Sequence, residues 1–366
     1  MSPLSNSYIA FDRAREMAPL VPLHAWVCDQ CWLVQLEAFE TPEKIFGDDA
    51  YFGSCSDGWL QHARTYSDAA RARFGLGGDS RVIEVASNDG YLLQYFRDAG
   101  VPVLGIEPAA NVAKVATDRG SPTRVAFFGE ALGRQLAEGG LAADLVAGNN
   151  VFAHVPDISD VSAGFGHALK PEGVLTLELL HLLELICGVQ FDTIYQEHFS
   201  YLSLLSARRV LERAGLRVFD VERSAVAALI EQELQADLER IETYFAFSET
   251  AKATKRHLLE FLIEAKRAGK RICGYGAPAK GNTLLKYCGV REDFIDFTVD
   301  RNLAKQNTLL PGTRIPVCAP EAIAEAKPDL VLILPWNLKD ETVEQMEHIR
   351  EWGGRFVIPV PRPVAL

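Results

Sequence analysis

The sequence predicts an α/β protein with two sheets of mainly parallel strands. Two segments, 81–97 and 271–287, each begin as a short apolar strand, pass through a turn that contains glycine, and continue with apolar residues at helical spacing. Further strands and helices alternate after each segment, as they do in doubly wound folds. The length of 366 residues exceeds what one hydrophobic core usually supports, so we expect two lobes.

The first of these segments has the features of a nucleoside site. Its strand carries the carboxylate of Glu84, and a small polar turn follows that contains Asn88, Asp89 and Gly90. The next predicted strand ends at Glu107, 23 residues after Glu84. An acidic side chain at the end of that strand can accept both hydroxyls of a ribose.

The same turn favours a cationic ligand over a dinucleotide. It lacks the GxGxxG pattern, and Asn88 and Asp89 occupy the place where a pyrophosphate needs bare backbone. S-adenosylmethionine is cationic and has no phosphate. The turn therefore predicts a class I methyltransferase domain with a Rossmann-like fold and with S-adenosylmethionine as its cofactor. The alternative is an ordinary βαβ crossover that binds nothing.

The other elements of the first lobe follow from periodicity. We expect strands at 123–128, 144–147, 174–179 and 216–222, and helices at 130–136, at 158–169 and from an N-cap at Ser206 to near Gly215. From Ala225 up to Gly269 there is neither proline nor glycine, which predicts one long helix or a helical pair.

The C-terminal lobe has its own predicted strands after the glycine turn, at 294–299, 330–334 and 355–358. Four segments result. They are an N-terminal segment 1–60, a cofactor domain 61–224, connecting helix or helices 225–269 and a C-terminal Rossmann-like domain 270–366.

Composition and charge exclude several classes of protein. A net charge of -12 argues against a nucleic-acid partner, because such binding draws on many Lys and Arg contacts. The N-terminus has no signal-peptide pattern, and the most apolar run, 173–189, is interrupted by Glu178, His181 and Glu184, so we expect a cytoplasmic protein with no membrane partner. Seven cysteines do not reach the density of a disulfide scaffold.

The glycine turn of the C-terminal lobe predicts a phosphate site. Gly274, Gly276 and Lys280 directly follow a strand, and backbone amides with a lysine one helical turn further on can hold a phosphate. The third glycine of the dinucleotide fingerprint is missing, which disfavours NAD. A cradle for another nucleotide and a plain strand-to-helix turn are the open alternatives.

Candidate acid–base groups are concentrated in one segment. Tyr195, Glu197 and His198 place a phenol, a carboxylate and an imidazole within four residues. Histidine is the side chain whose unperturbed pKa lies near neutrality, so His198 is the candidate base, with Glu197 able to orient it and Tyr195 able to donate to an oxyanion. A polar loop with a hydrogen-bonded histidine is the alternative.

Several motifs in one order resemble a known family. The strings VIEVASNDGYLLQ, NNVFAHVP, DTIYQEHFSYLS, GYGAPAKGNTLLKY, DRNLAKQ, PGTRIPV and LPWNLKDE are similar to those of S-adenosylmethionine-dependent C-methyltransferases that act on nucleotide-activated deoxysugars. The resemblance implies a small N-terminal zinc-binding lobe, a cofactor domain and a C-terminal Rossmann-like domain that helps to hold a nucleotide-sugar partner. It also implies removal of a proton next to a 4-keto group, usually at C3, and methylation of the resulting enolate.

The resemblance assigns roles residue by residue. His198 becomes the general base with Glu197 and Tyr195 beside it, and His154 could reach the substrate or enolate oxygen. Asn150 falls near the methionine end of the cofactor. Other matched positions divide into cofactor contacts and substrate contacts, which are Glu84, Asn88, Asp89, Gly90 and Glu107 for the cofactor and Tyr51, Gly276 and Lys280 for the substrate.

Three departures from the family pattern stand out. The family's zinc site uses two CxxC pairs, whereas here only Cys28 and Cys31 are found, so we expect no bound zinc unless Cys55, a histidine or a partner completes the site. A glycine-rich histidine segment is missing after Glu222, and Gln196 replaces a frequent histidine. One hypothesis is therefore a shortened relative with weak or no activity.

Four functions stay open at this point. The first is sugar C-methylation with His198 as base. The others are methylation of oxygen or nitrogen, nucleotide-sugar binding without catalysis, and NAD-dependent oxidoreduction with nicotinamide at Gly274 to Lys280. The sequence does not indicate which sugar or nucleotide is bound, nor the oligomeric state.

Overall fold

The structure, a computed structural model, describes residues 1–46, 53–55, 57–222 and 225–366. The chain folds into two compact units. The first unit consists of Met1–Val27, Leu182–Glu197 and Gln235–Leu366, and the second of Cys28–His181 and His198–Leu234. Both units are therefore assembled from segments that are distant in sequence, whereas the predicted segments are contiguous.

The described strands are short, and most belong to two sheets. They are β1 Ile9–Ala10, β2 Ala25–Val27, β3 Val34–Leu36, β4 Val82–Val85, β5 Val103–Glu107, β6 Thr123–Val125, β7 Ala143–Asn149, β8 Leu169–Glu178, β9 Ser200–Tyr201, β10 Ile272–Tyr275, β11 Thr298–Val299, β12 Thr308–Leu309, β13 Pro316–Cys318, β14 Leu330–Ile333, β15 Arg355–Ile358 and β16 Val364–Ala365.

The described α-helices lie between these strands. They are α1 Pro42–Phe46, α2 Asp57–Phe74, α3 Leu93–Asp98, α4 Ala110–Asp118, α5 Glu130–Glu138, α6 Ile158–Ala168, α7 Leu182–Cys187, α8 Leu204–Arg213, α9 Val226–Gln235, α10 Ile241–Arg267, α11 Ala279–Cys288, α12 Ala322–Ala326 and α13 Lys339–Gln345. Within the described ranges, none of these helices has the length and apolar character that crossing a bilayer requires.

The sheet of the second unit is doubly wound. Its strand order is β6-β5-β4-β7-β8, and every pairing is parallel. The first strand, β4, lies in the middle, so the chain winds outwards on one side through β5 and on the other through β7. This reversal creates a switch point between β4 and β7, and ligands of such sheets bind at the carboxyl ends of the strands there.

The sheet of the first unit repeats this plan. Its order is β1-β12-β13-β11-β10-β14-β15-β16, in which the five strands from β13 to β15 run parallel and the outer strands are antiparallel. The switch point lies between β10 and β14. The prediction of two Rossmann-like α/β lobes is therefore confirmed.

Each sheet is covered by apolar side chains on both faces. In β4, Ile83 and Val85 belong to one hydrophobic cluster and Val82 to another. In β10, Ile272 and Cys273 belong to separate clusters in the same way. Successive residues of a strand point to opposite faces, so these runs of buried residues need helices on both sides of the sheet.

Two element predictions were wrong, and a third was confirmed in one of its two forms. Residues 216–220, predicted as part of a strand, form no regular element, so the parallel sheet of the second unit ends at β8 in the described chain. The N-cap of α8 is Ser203 and not Ser206, because Ser206 takes the third helical position and closes a capping box with Ser203. The glycine-free run from Ala225 forms two helices, α9 and α10, and the connection between them contains Asp237 with a positive φ of 54°.

Candidate active site

The predicted cofactor turn lies at the switch point of the second unit. It connects β4 to α3, and its backbone is left-handed at Ala86, Asn88 and Gly90, with φ values of 57°, 49° and 79°. Left-handed residues other than glycine are uncommon and cluster at functional sites. Asn150, which follows β7 on the other side of the switch point, is also left-handed with φ 53° and is exposed.

Two carboxylates from the neighbouring strands are buried beside this turn. Glu84 lies within β4 and is 1% exposed, and Glu107 ends β5 and is 6% exposed. Burial raises the pKa of Glu84 well above its usual value and the charges of Glu107 and Asp89 add to this, whereas a hydrogen bond from Tyr91 opposes it. The raised pKa favours the neutral form of Glu84, which can donate a hydrogen bond as well as accept one.

Glu107 also holds the turn in place. Its carboxylate accepts the backbone N–H of Asn88 at 2.9 Å and that of Ala109 at 2.9 Å. Each carboxylate oxygen can accept more than one hydrogen bond, so these two bonds leave capacity for ribose hydroxyls. The chemistry of the donor set, a buried acid at each of two strand ends, thus fits S-adenosylmethionine.

Asn88 and Asp89 are engaged by protein groups. The Asn88 side-chain oxygen accepts the backbone N–H of Gly53 at 2.8 Å. The Asp89 carboxylate accepts hydrogen bonds from the hydroxyl of Ser54 and from the guanidinium of Arg119, the latter at 2.9 Å. Both donors use Oδ2 of Asp89, whereas the buried Oδ1 has no hydrogen-bond partner among the described residues.

Two histidines of the second unit form an edge-on pair. The ring centroids of His154 and His198 are 4.6 Å apart, with the planes at 79°. His154 ends a 3-10 turn, Phe152–His154, that follows β7, and His198 is 6% exposed. The backbone N–H of Phe199 donates to the carbonyl of Ala153 at 2.7 Å, and this bond between their neighbours aligns the two histidines.

The first unit presents a second candidate crevice at its own switch point. Gly276 follows β10 with φ 84°, and a Cβ there would lie 2.6 Å from Pro335, so both conformation and space require glycine. Lys280 lies in the first turn of α11, donates to the side chain of Asn337 at 2.8 Å and stands 4.6 Å from the ring centre of Trp336. Burial lowers the pKa of this lysine.

A buried acid accompanies that lysine. Asp192 accepts a hydrogen bond from the indole N–H of Trp336 at 2.7 Å. Burial raises the pKa of Asp192 to about 6, against the opposing effects of this hydrogen bond and of the Lys280 charge. The crevice thus combines one cation, one titratable acid and an aromatic face, a set that can recognise the phosphate and polar groups of a nucleotide.

The predicted supporting groups Tyr195 and Glu197 belong to the first unit. Glu197 is 5% exposed, and one of its carboxylate oxygens accepts the backbone N–H of Asn6 at 3.3 Å. Burial raises the pKa of Glu197 and also that of Tyr195. His198 follows Glu197 directly in the sequence but belongs to the second unit.

The first unit has an acid at the corresponding strand end. Asp300, directly after the second strand β11, stands where a ribose-binding acid would be expected. Its carboxylate accepts the backbone N–H groups of Ala277 at 2.7 Å and Asn302 at 2.8 Å and lies 4.0 Å from Lys305. These contacts give Asp300 a role in fixing the glycine turn.

Comparison with known proteins gives the family. The chain is 36% identical over 384 residues to the C-methyltransferase NovU of Streptomyces niveus, with 99% of this chain and 91% of that protein covered. The chain belongs to the C-methyltransferase family. It is an S-adenosylmethionine-dependent methyltransferase.

Three family models match successive parts of this C-methyltransferase. Residues 1–46 match a putative zinc binding domain, residues 59–221 a methyltransferase domain and residues 210–361 a C-methyltransferase C-terminal domain. Together they cover both predicted lobes and the N-terminal segment.

Solved structures give weaker likenesses. YcgJ of Bacillus subtilis is 12% identical with a TM-score of 0.33, covering 42% of this chain and 68% of that one. DesVI of Streptomyces venezuelae is 19% identical with a TM-score of 0.28, covering 34% of this chain and 52% of that one. TM-scores this low carry no argument, so the assignment depends on the sequence relative and the family models.

The part of the chain that the structure describes does not contain a complete zinc ligand set beside the zinc-binding match. Cys28 and Cys31 lie in one tight turn, in which the N–H of Trp32 donates to the carbonyl of Cys28 at 2.9 Å. Among the described residues, no group of three or more His, Cys, Asp and Glu side chains is placed to hold a metal. Two thiolates do not close a tetrahedral site, so these residues do not fit a structural zinc.

Several site residues were not singled out from the sequence. Arg119, Ser54 and Asp192 gave no signal, because a single charged or polar residue at a helix end or in a loop is common. Trp336 and Asn337 lie in the string LPWNLKDE, which could have been connected to Lys280 by their shared position after parallel strands. Tyr51, a predicted substrate contact, lies outside the described residues.

Proposed function

We propose that this C-methyltransferase transfers a methyl group to a carbon, C3 in the first instance, next to the keto group of a nucleotide-activated 4-keto-deoxysugar. The observation that supports this most strongly is the His154–His198 pair, with ring centroids 4.6 Å apart at the end of the 3-10 turn after β7. Methylation of a carbon next to a ketone needs a base, whereas binding of the cofactor alone does not.

The proposed base is His198. A proton next to a ketone is weakly acidic, so an enzyme must remove it with a group that titrates near neutrality and must stabilise the negative charge that develops on the ketone oxygen. His198 is buried, so the proton transfer takes place away from bulk water. His154, edge-on to His198, is the proposed donor to the enolate oxygen.

The proposed cofactor site is the turn after β4 with Glu84, Glu107 and Asn150. S-adenosylmethionine supplies an electrophilic methyl group there when it is bound. Glu107 would accept the ribose hydroxyls while it keeps its bonds to the backbone of the turn. Asn150 is exposed after β7 and is the proposed contact to the methionine end.

The nucleotide part of the substrate is assigned to the first unit. Lys280, at the start of α11, would meet a phosphate, and Gly276 provides the sharp turn that leads from β10 to this helix. Glu197 and Tyr195 are the proposed supporting groups of the general base His198. NovU is named as a C-methyltransferase, which agrees with a carbon acceptor.

The test is a product analysis. The protein is incubated with methyl-labelled S-adenosylmethionine and a nucleotide-linked 4-keto-deoxysugar, and the product is examined by mass spectrometry and NMR. The expected product carries one labelled methyl group on carbon. A methyl group on oxygen or nitrogen, or tight binding of both ligands without any transfer, would contradict the proposal.

A further inference from the structure

Arg119 makes an ion pair in the cofactor turn of the second unit. Its guanidinium donates to the Asp89 carboxylate at 2.9 Å and to the Ser54 hydroxyl at 2.9 Å. The Asp89 side chain is fully buried, with 0% exposure, whereas that of Arg119 is 53% exposed. A buried carboxylate is costly unless it is paired, so Arg119 compensates the charge of Asp89 from the solvent side.

The position of this pair matters because of the backbone around it. Asp89 stands between Asn88 and Gly90, both with positive φ, in the turn that we propose binds the cofactor. The carboxylate of Asp89 also accepts a hydrogen bond from Ser54, and Asn88 accepts the N–H of Gly53. The ion pair therefore helps to fix the conformation of a turn that is unfavourable on its own.

Arg119 is itself held by a second arginine. It caps the end of α4, and Arg97 donates to its backbone carbonyl and, at 3.4 Å, to the hydroxyl of Ser121. Gly120, with φ 89°, turns the chain directly afterwards. The backbone at Arg119 is thus held in place by these contacts, which limits the positions that its guanidinium can take.

We propose that Arg119 is a positioning residue for the cofactor, which acts through Asp89 and does not touch the ligand. Pairing Asp89 with Arg119 keeps the turn in its ligand-binding conformation and leaves the carboxylate of Glu107, at the end of β5, to meet the ligand. This inference depends on the proposed cofactor site at the same turn. It assigns to Oδ2 of Asp89 a structural role in fixing the turn.

Calorimetric titration with S-adenosylmethionine tests the proposal. Arg119→Gln is expected to raise the Kd about tenfold or more, because it leaves a buried charge uncompensated. In steady-state assays, the kcat that is reached at saturating cofactor should change much less than the KM for the cofactor. Arg119→Lys should recover part of the affinity, since it keeps the charge but loses the fixed donor geometry of the guanidinium.

The double variant Asp89→Asn with Arg119→Gln separates charge compensation from general damage. It leaves no unpaired charge, so it should bind more tightly than Arg119→Gln alone. Arg124→Gln is the matched control, because Arg124 is an exposed arginine of the same unit whose guanidinium donates to the side chain of Gln135 at 3.0 Å. Its Kd should stay at the wild-type value.

The variant Glu107→Gln distinguishes failure of the proposed cofactor site from failure of the proposed role of Arg119. If Glu107→Gln leaves the Kd unchanged, the proposed cofactor site is wrong. If Glu107→Gln weakens binding while Arg119→Gln does not, only the role of Arg119 is overturned. Equal losses in Arg119→Gln and in the double variant would also overturn it.

Discussion

The buried carboxyl groups around the turn after β4 differ in the groups that surround them. Asp89 is buried with a cation beside it, Glu107 is buried with backbone amides beside it, and Glu84 is buried next to both of these acids. Carboxyl groups around one turn therefore serve charge pairing at Asp89 and backbone fixation at Glu107, whereas burial raises the pKa of Glu84. The composition of a residue's surroundings, and not its identity, decides which role applies.

Asp192 in the first unit gives a pH prediction. Its pKa is raised from 3.8 to about 6 by burial, so the folded protein holds this proton over a range in which the unfolded chain has released it. This stabilising contribution is complete below pH about 4 and is lost as the pH rises through about 6. Asp192→Asn removes the titration and can keep the hydrogen bond from Trp336.

The measurement is the urea unfolding free energy as a function of pH. Relative to the wild type, Asp192→Asn should gain stability between pH about 4 and about 7, by up to about 3 kcal/mol, since one pKa unit corresponds to about 1.4 kcal/mol. Asp293→Asn removes one exposed carboxyl group of the same unit and is the control. A difference between Asp192→Asn and wild type that does not change with pH would contradict the prediction.

At the scale of elements, the start of α8 is stabilised by hydrogen bonds to a residue of α9 and to its own N-cap residue. The first two amides of the helix, of Leu204 and Leu205, donate to the carboxylate of Glu233 at 2.6 Å and 2.8 Å. The third, of Ser206, donates to the hydroxyl of Ser203 at 3.1 Å. Glu233 lies on α9, is fully buried and also contacts His181 at 2.6 Å.

Removal of this carboxylate should weaken the second unit. Glu233→Ala leaves two helix amides and His181 without their acceptor, and each buried donor that loses its partner costs about 1–3 kcal/mol. We expect a loss of about 2–4 kcal/mol in the free energy of unfolding, measured with urea. Glu231→Ala, on the exposed side of the same helix, should cost much less. Equal losses in the two variants would count against this account of α8.

The predicted elements were accurate where local pattern and tertiary demand agree. β4 and β10 read as apolar runs because each is buried on both faces, and the structure places both in the middle of their sheets. Ser206 was misread as the N-cap because Ser203, three residues earlier, offers the same chemistry. The segment 216–222 has the alternation of a strand, but its residues 216–220 stay irregular, which periodicity alone does not reveal.

On the scale of the whole molecule, the order of motifs predicted both the family and the two α/β lobes. The composition of the compact units could not be predicted in this way, because residues 1–27 and 182–197 join the first unit through packing that leaves no periodic signal. For example, the side chain of Asn282 donates to the carbonyl of Ser5 at 2.6 Å, although the two residues are 277 positions apart.

The candidate site was predictable to a similar extent. Strand-end acids and the histidine motif were found because each has a recognisable local pattern. Arg119 and Asp192 were not found, since their importance comes from a single long-range partner, Asp89 and Trp336 respectively. A residue that is defined by one distant contact has no signature in a single sequence.

The central claim is that His198 removes a proton from carbon. Its most direct test is the exchange of a substrate hydrogen with solvent. The wild-type protein is incubated in D₂O with the 4-keto-deoxysugar nucleotide and S-adenosylhomocysteine, which has no methyl group to transfer. We predict that one hydrogen next to the keto group exchanges for deuterium, as read by NMR. His198→Gln should lose the exchange while its Kd for the cofactor stays within about twofold of the wild type, because His198 is not a proposed cofactor contact. Exchange at the wild-type rate in His198→Gln would contradict the account.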